Sequence, residues 1–284
     1  MKRVDVVKRV RAPVRIDFAG GTTDIEPFVS EYGGCVLNAS INRYVNGELK
    51  ATNKKVELKY SSNVPTSSGL GTSGAMNLVW LSLISNNKDK TKLAEGVYKL
   101  EQSMGLVGGK QDQYAAAFGG INFIEFGKNN KVKIHKLKLS NDLIKKLENN
   151  LVLVYSGKPH FSGNFNKAMI DNLKKGKTTK NFIEIKNIAR KMKNSLLKED
   201  LDSFAQLMNE ESEQRAQLHP SILGTEIKNI IKQGFENGAT SAKICGSGGG
   251  GSVLFFTYDR KRLVNRFKDK IIDFKFDFDG LRYL

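Results

Sequence analysis

The sequence predicts an α+β protein of two fused lobes. Strand-like and helical periods alternate in both halves, and neither a repeat nor a Pro/Ser linker separates the halves. At 284 residues, 39% of them hydrophobic, the chain can bury a full core.

CVLNASINRYV and VELKY read as strands over 35–60, with Val56, Leu58 and Tyr60 on one face. An apolar run at 73–85 reads as a helix. Thr91 can cap a second one, whose Leu93, Val97, Leu100 and Met104 form a stripe. The turn GLVGGKQDQ leads to a short helix, DQYAAAF, for which Asp112 can serve as N-cap. GGINFIEF and KVKIHKLKL resume strands, and LVLVYS at 151–156 is a buried one. The chain is then mostly helical through residue 236. Strands at TSAKIC and SVLFFTY flank GSGGGG, and a helix at 259–270 and a strand at FKFDF end it. Domains of 1–150 and 151–284 are expected.

No apolar stretch approaches the ~18 residues of a membrane span, and MKRVDVVKRVRAP lacks a signal's apolar core. Cys35 and Cys245 lie far apart and read as buried thiols, which suits a reducing compartment, by default the cytoplasm. The formal net charge of +17 favours anionic partners such as nucleotides or phosphorylated metabolites. From Lys158 to Lys198 there are eleven basic residues and two acids, with Phe182, Ile185, Ile188 and Leu197 at helical spacing. A solvated helix face explains that run better than nucleic-acid binding, since no groove-reading or zinc-finger pattern accompanies it.

Residues 65–77, PTSSGLGTSGAMN, hold three glycines, five hydroxyl side chains and no charge. Gly69, Gly71 and Gly74 spell GxGxxG, but a dinucleotide fold needs a buried parallel strand before it and an acid about 20 residues on. VELKY alternates apolar and polar, and the only acid at that distance, Asp89, lies among lysines. A Walker loop would need Lys and Ser/Thr after the last glycine. What stands is either a tight turn with a cap or an anion cradle, with backbone N–H groups converging at a helix N-terminus.

Three ordered motifs favour the cradle. PxxSGLGTSGA resembles the phosphate loop of the GHMP kinases, the family of galactokinase, homoserine kinase, mevalonate kinase and phosphomevalonate kinase. RAPVRIDFAGGTTDIEPF (11–28) resembles the family's substrate-binding first motif, and AKICGSGGGGSVLFF (242–256) its glycine-rich third. The resemblance spans essentially the whole chain. It implies the GHMP kinase fold with the active site between the lobes, and ATP and Mg²⁺ as the phosphoryl donor and its metal. Pro65, Ser67, Ser68, Gly69, Leu70, Gly71, Thr72, Ser73 and Gly74 would hold the nucleotide.

Glu101 and Asp112 stand at the separation of the metal ligand and catalytic base of mevalonate kinase and its relatives. The resemblance therefore implies Mg²⁺ on Glu101 and Ser73, Asp112 facing the acceptor hydroxyl, and Arg15 beside it. A solvent-facing helix acid is the plainer reading of Glu101. Lys110 fits a phosphate contact or a solvent lysine equally.

Asp24 follows Arg15 at the spacing where galactokinases place a sugar-gripping aspartate, and Thr22, Thr23, Gly248 and Gly249 are further expected substrate contacts. Gly21-Thr22 stands where galactokinases have Glu-His, which opens room for a bulkier substituent. GGTTD, EYGGCVLNASINRY and GKQDQYAAAFGGINFIEF are similar to the D-glycero-D-manno-heptose 7-phosphate kinase branch, which phosphorylates the anomeric hydroxyl of a phosphorylated heptose. Lys158, His160 and Ser162 are candidates for the substrate's own phosphate. Another sugar 1-kinase or a mevalonate-type kinase is the runner-up. A catalytically silent protein that binds sugar or nucleic acid on the same fold is the rival of a different class.

Overall fold

The computed structural model describes residues 6–158 and 162–284, without the side chains of 162–164. The strands are β1 (Val6–Ala19), β2 (Gly34–Ala51), β3 (Val56–Ser62), β4 (Ile121–Phe126), β5 (Val132–Lys136), β6 (Leu151–Tyr155), β7 (Ala239–Ile244), β8 (Ser252–Thr257) and β9 (Arg282–Tyr283). The helices are α1 (Phe28–Tyr32), α2 (Thr72–Ile84), α3 (Lys90–Ser103), α4 (Gln111–Phe118), α5 (Asn141–Asn150), α6 (Ser162–Lys174), α7 (Thr179–Leu197), α8 (Leu201–Ala216), α9 (Thr225–Glu236) and α10 (Arg260–Phe267).

The first sheet runs β5-β4-β2-β1-β9, with β3 also on β2, and the second runs β6-β8-β7. Neighbouring strands in both sheets pair antiparallel. From Ala12 onward β1 is buried at every residue. Helices α2 and α4 contact it from the first half of the chain, and α7 and α8 from the second. Two register shifts interrupt its pairing with β2, at Pro13/Val14 and at Asp17/Ala19. Such bulges re-aim side chains, and these two flank Arg15 and Asp17. Strand β9 pairs β1 only at Val10 and Arg11. Past that point the glycine loop takes the free edge, where the Arg15 amide donates to Leu70 O at 2.9 Å.

The lobes share a core. One buried cluster joins Ile16, Phe18 and Leu37 to Ile188, Phe204 and Phe256, so no linker is needed. After β8 the chain returns to the first sheet, where Gly120 N donates to Asp277 O (2.6 Å) and Leu281 N to Ala117 O (3.2 Å). No described helix is long and apolar enough to cross a membrane.

Several expectations need correction. Asp89, not Thr91, caps α3, because its carboxylate accepts from the amides of Thr91 (2.9 Å) and Lys92 (3.1 Å). Lys110 occupies the N-cap position of α4, which places Asp112 inside the first turn. FKFDF forms only a bridge, at Phe276 with Ile41. Its Asp277 carboxylate instead accepts from the amides of Asp279 and Gly280, turning the chain. On α7 the stripe ends on buried Leu196, and Leu197 is exposed. Both cysteines are buried free thiols, as expected.

Candidate active site

A cavity of about 290 Å³ opens between the lobes. Its lining comes from the end of β1, the 21–25 turn, the glycine loop, α3, α4, α6, α8 and the third glycine motif. Ser67, Ser68, Gly69, Gly71, Thr72, Ser73 and Gly74 form one wall.

Gly71 is in the left-handed region (φ 73°) and begins α2 without a side-chain cap. The first bond of the helix is Ala75 N to Gly71 O at 3.0 Å, so the amides of 72–74 precede its ladder. These free amides at a helix N-terminus, beside hydroxyls, are the parts of an anion cradle. The glycines also answer a steric demand: a Cβ on Gly71 would lie 3.0 Å from Asp112 Cγ, and one on Gly74 would lie 2.8 Å from Asp112 Cβ. Any side chain there would push the loop off the aspartate. Leu70 anchors the loop in the core, and Pro65 lies outside the cavity lining.

Arg15 is almost wholly buried. Its Nε donates to Asp112 Oδ1 at 2.8 Å, its Nη2 stands 2.7 Å from the same oxygen, and its Nη1 donates to Gly69 O at 2.6 Å. One guanidinium thus ties the carboxylate to the glycine loop. Burial works against the Arg15 charge, but Asp112 and then Asp17 outweigh it, and its pKa is raised.

Glu101 lines the cavity rather than facing solvent. Asn77 Nδ2 donates to its Oε1 at 2.8 Å, and Gln113 Nε2 donates to its Oε2. Burial raises its pKa, the two amides oppose the rise, and Asp112 adds to it. Thr72 Oγ1 and Gln113 Oε1 are buried without a hydrogen-bond partner. A carboxylate, the Ser73 and Thr72 hydroxyls and an amide oxygen make a hard-oxygen set that fits Mg²⁺, a cation usually held by one or two carboxylates plus substrate phosphates. Among the described residues no group of three or more His, Cys, Asp or Glu could hold a metal alone.

Asp24 lines the cavity from below α4. Its Oδ2 accepts the Gln111 amide at 2.9 Å, and Gly109 leaves it room. Burial pushes its pKa up to about 6, against the Gln111 hydrogen bond and with help from Asp112. Thr22 lines the cavity in a left-handed conformation (φ 75°), a strained backbone for a β-branched residue.

Other candidates fall elsewhere. Thr23 is fully buried, and its hydroxyl is spent on the carbonyls of Gly20 (2.7 Å) and Cys35 (2.9 Å). Gly248 packs on Ile222 and Gly249 on Phe165; the third motif lines the cavity through Gly246 and Ser247 instead. Lys110 is neither a phosphate contact nor a solvent lysine: it is buried, pairs with Glu95 at 2.9 Å and sits over the Tyr98 ring. Lys158 is exposed and pairs with Glu226. His160 lies outside the described residues, as does the side chain of Ser162.

A charged group below the cavity has no counterpart among the predicted site residues. Asp17, Glu211, Arg215 and Lys243 are all buried. Lys243 Nζ lies 3.3 Å from Asp17 and 3.4 Å from Glu211, and Arg215 donates to Glu211 and to Gly21 O (2.9 Å). The available signal was a charge inside each of two apolar runs, RIDF and AKIC.

Residues 36–120 match the GHMP kinases N terminal domain and residues 192–274 the GHMP kinases C terminal model. The chain belongs to the GHMP kinase family. It is 29% identical to the D-glycero-alpha-D-manno-heptose 7-phosphate kinase of Campylobacter jejuni, across 96% of this chain and 98% of that protein. The crystal structure of a D-glycero-D-manno-heptose 1-phosphate kinase from Bacteriodes thetaiotaomicron matches with a TM-score of 0.78 at 25% identity, over 98% of this chain and 99% of that one. Lactococcus lactis galactokinase, solved with galactose, shares the fold at 16% identity and a TM-score of 0.72, over 98% and 95% of the two chains.

Proposed function

We propose that this chain is a sugar kinase that transfers the γ-phosphoryl group of ATP to a hydroxyl of a sugar phosphate, with D-glycero-D-manno-heptose 7-phosphate as substrate and its anomeric hydroxyl as acceptor. The observation that carries this reading is the packing of Asp112 and Arg15 directly against Gly71 and Gly74. A triphosphate held by the amides of 69–74 brings its terminal group beside that carboxylate. Phosphoryl transfer asks a protein mainly for positioning and charge neutralisation.

Asp112 orients the acceptor hydroxyl and takes its proton, and Arg15 fixes Asp112 and offsets charge developing on the transferred group. Mg²⁺ bound by Glu101 and Ser73 would neutralise the phosphate oxygens. Asp24 and Thr22 face the sugar. Gly21 does not open the expected room, because a Cβ there would fall 2.1 Å from Asp17 Oδ2: Asp17 fills the space where galactokinases carry a larger side chain. The similarity to heptose phosphate kinases along nearly the whole chain supports the seven-carbon substrate.

An ADP-release screen tests this reading with heptose 7-phosphate, heptose 1-phosphate, free hexoses, hexose phosphates and mevalonate. The highest kcat/KM is expected with heptose 7-phosphate. A preference for mevalonate or a free hexose would reassign the substrate, and silence of folded protein across the panel would leave a binding protein.

A further inference from the structure

Away from the glycine loop, the part of the cavity that forms its floor includes several buried side chains. Asp17, Asp24, Gln111 and Ser247 line it, each at least nine-tenths buried. On each, one oxygen lacks a hydrogen-bond partner: Asp17 Oδ1, Asp24 Oδ1, Gln111 Oε1 and Ser247 Oγ. A buried acceptor left without a donor costs about 1–3 kcal/mol, and proteins rarely leave several together. The missing complement must donate hydrogen bonds.

Charge narrows the class of ligand. The Asp24 carboxylate, held by a backbone amide rather than by a cation, disfavours a phosphate beside it. A cationic ligand gains little at Asp17, since Lys243 (3.3 Å) and Arg215 (3.6 Å) already flank its Oδ2. Those contacts fix the carboxylate through one oxygen and leave Oδ1 uncommitted. Neutral hydroxyl groups fit what remains.

Resting on the sugar-kinase reading, we infer that Asp17 is a specificity-determining residue, whose free oxygen works with that of Asp24 to accept hydrogen bonds from the substrate's polyol chain, and that the substrate's own phosphate lies off this floor. Lys243, Arg215 and Glu211 are positioning residues. They clamp Asp17, and through Gly21 O they hold the turn that carries Thr22 and Asp24.

The test is Asp17→Asn, which keeps the shape but replaces one carboxylate oxygen with an amide donor. Steady-state kinetics would be run with the sugar phosphate that wild type turns over best and with its monodeoxy derivatives, alongside binding of a fluorescent ATP analogue with Mg²⁺. A lost hydrogen bond to a charged acceptor predicts a sugar KM raised about 10- to 100-fold, with analogue affinity essentially unchanged. One monodeoxy derivative should lose a similar factor in wild type and nothing further in Asp17→Asn. A wild-type KM in folded Asp17→Asn, or equal deoxy penalties in both enzymes, would overturn the inference. If the single variant does not fold, Asp17→Asn/Lys243→Met removes both charges together and is read by the same outcomes. Wild-type silence across the substrate panel would instead remove the kinase reading, and this inference with it.

Discussion

The wall at residues 67–74 presents glycines and hydroxyls, and its charge-binding capacity lies in backbone amides at the start of α2. The floor presents side chains, and its Asp17 is backed by Glu211, Arg215 and Lys243, all four at most 1% exposed. The two ligands proposed for them differ in the same way. A triphosphate carries its own charge and needs a close, side-chain-free approach, whereas a polyol is neutral and must be distinguished hydroxyl by hydroxyl. Asp112 and Arg15 sit at the seam, touching the loop on one side and Asp17's field on the other.

The comparison can be broken first at the seam. Asp112→Asn should lower kcat by about 10³-fold or more, near the upper range for a lost general base, while Mg²⁺-nucleotide affinity holds. Retained turnover in single-turnover kinetics would remove Asp112 as the base.

Beneath the floor, Lys243→Met removes one of the two cations that Asp17 and Glu211 share, the other being Arg215. Breaking a buried pair costs about 3–5 kcal/mol, so denaturant unfolding should show a loss of that size. A loss under about 1 kcal/mol, the ordinary value for a surface pair, would show that the cluster is hydrated in solution.

On the wall, Gly74→Ala drives a methyl to 2.8 Å from Asp112 Cβ. A displacement near 1 Å at a reacting group costs about 10²-fold. The effect should appear in kcat with little change in stability, the reverse of Lys243→Met.

The gentlest probe is pH. Burial raises the Asp24 pKa to about 6, so below that pH the carboxyl is mostly protonated and is a weaker acceptor for sugar hydroxyls. Sugar KM should rise as pH falls through 6, by up to about tenfold per unit for one proton, and Asp24→Asn should flatten the profile. Stability responds with the opposite sign: the raised pKa makes a contribution that is full below the unfolded carboxyl's value, about 4, and is lost as pH rises through about 6.

Legibility in the sequence followed the same divide. The loop was readable because its glycines, hydroxyls and following helix are local, and the α+β lobes were readable from periodicity. Glu101 and Asp112 came through resemblance, and the structure adds what spacing lacks, a guanidinium linking Asp112 to Gly69 O. The floor was hidden because its partners are remote, Asp17 from Lys243 by 226 positions and Gly21 from Arg215 by 194. Lys110, which the sequence leaves open between a phosphate contact and a solvent lysine, is claimed by Glu95 and Tyr98, one helix away, a pairing that spacing does not reveal. Gly248 and Gly249, expected as substrate contacts, abut Ile222 and Phe165 instead, neighbours too remote in sequence to be foreseen.

The most direct measurement is a crystal structure with Mg²⁺ and a non-hydrolysable ATP analogue. The account predicts phosphates enclosed by the amides of residues 69–74, the cation on Glu101 and Ser73, and the Asp112 carboxylate facing the γ-phosphorus. A nucleotide bound elsewhere with this loop empty, or an Asp112 turned away from the terminal phosphate, would contradict it.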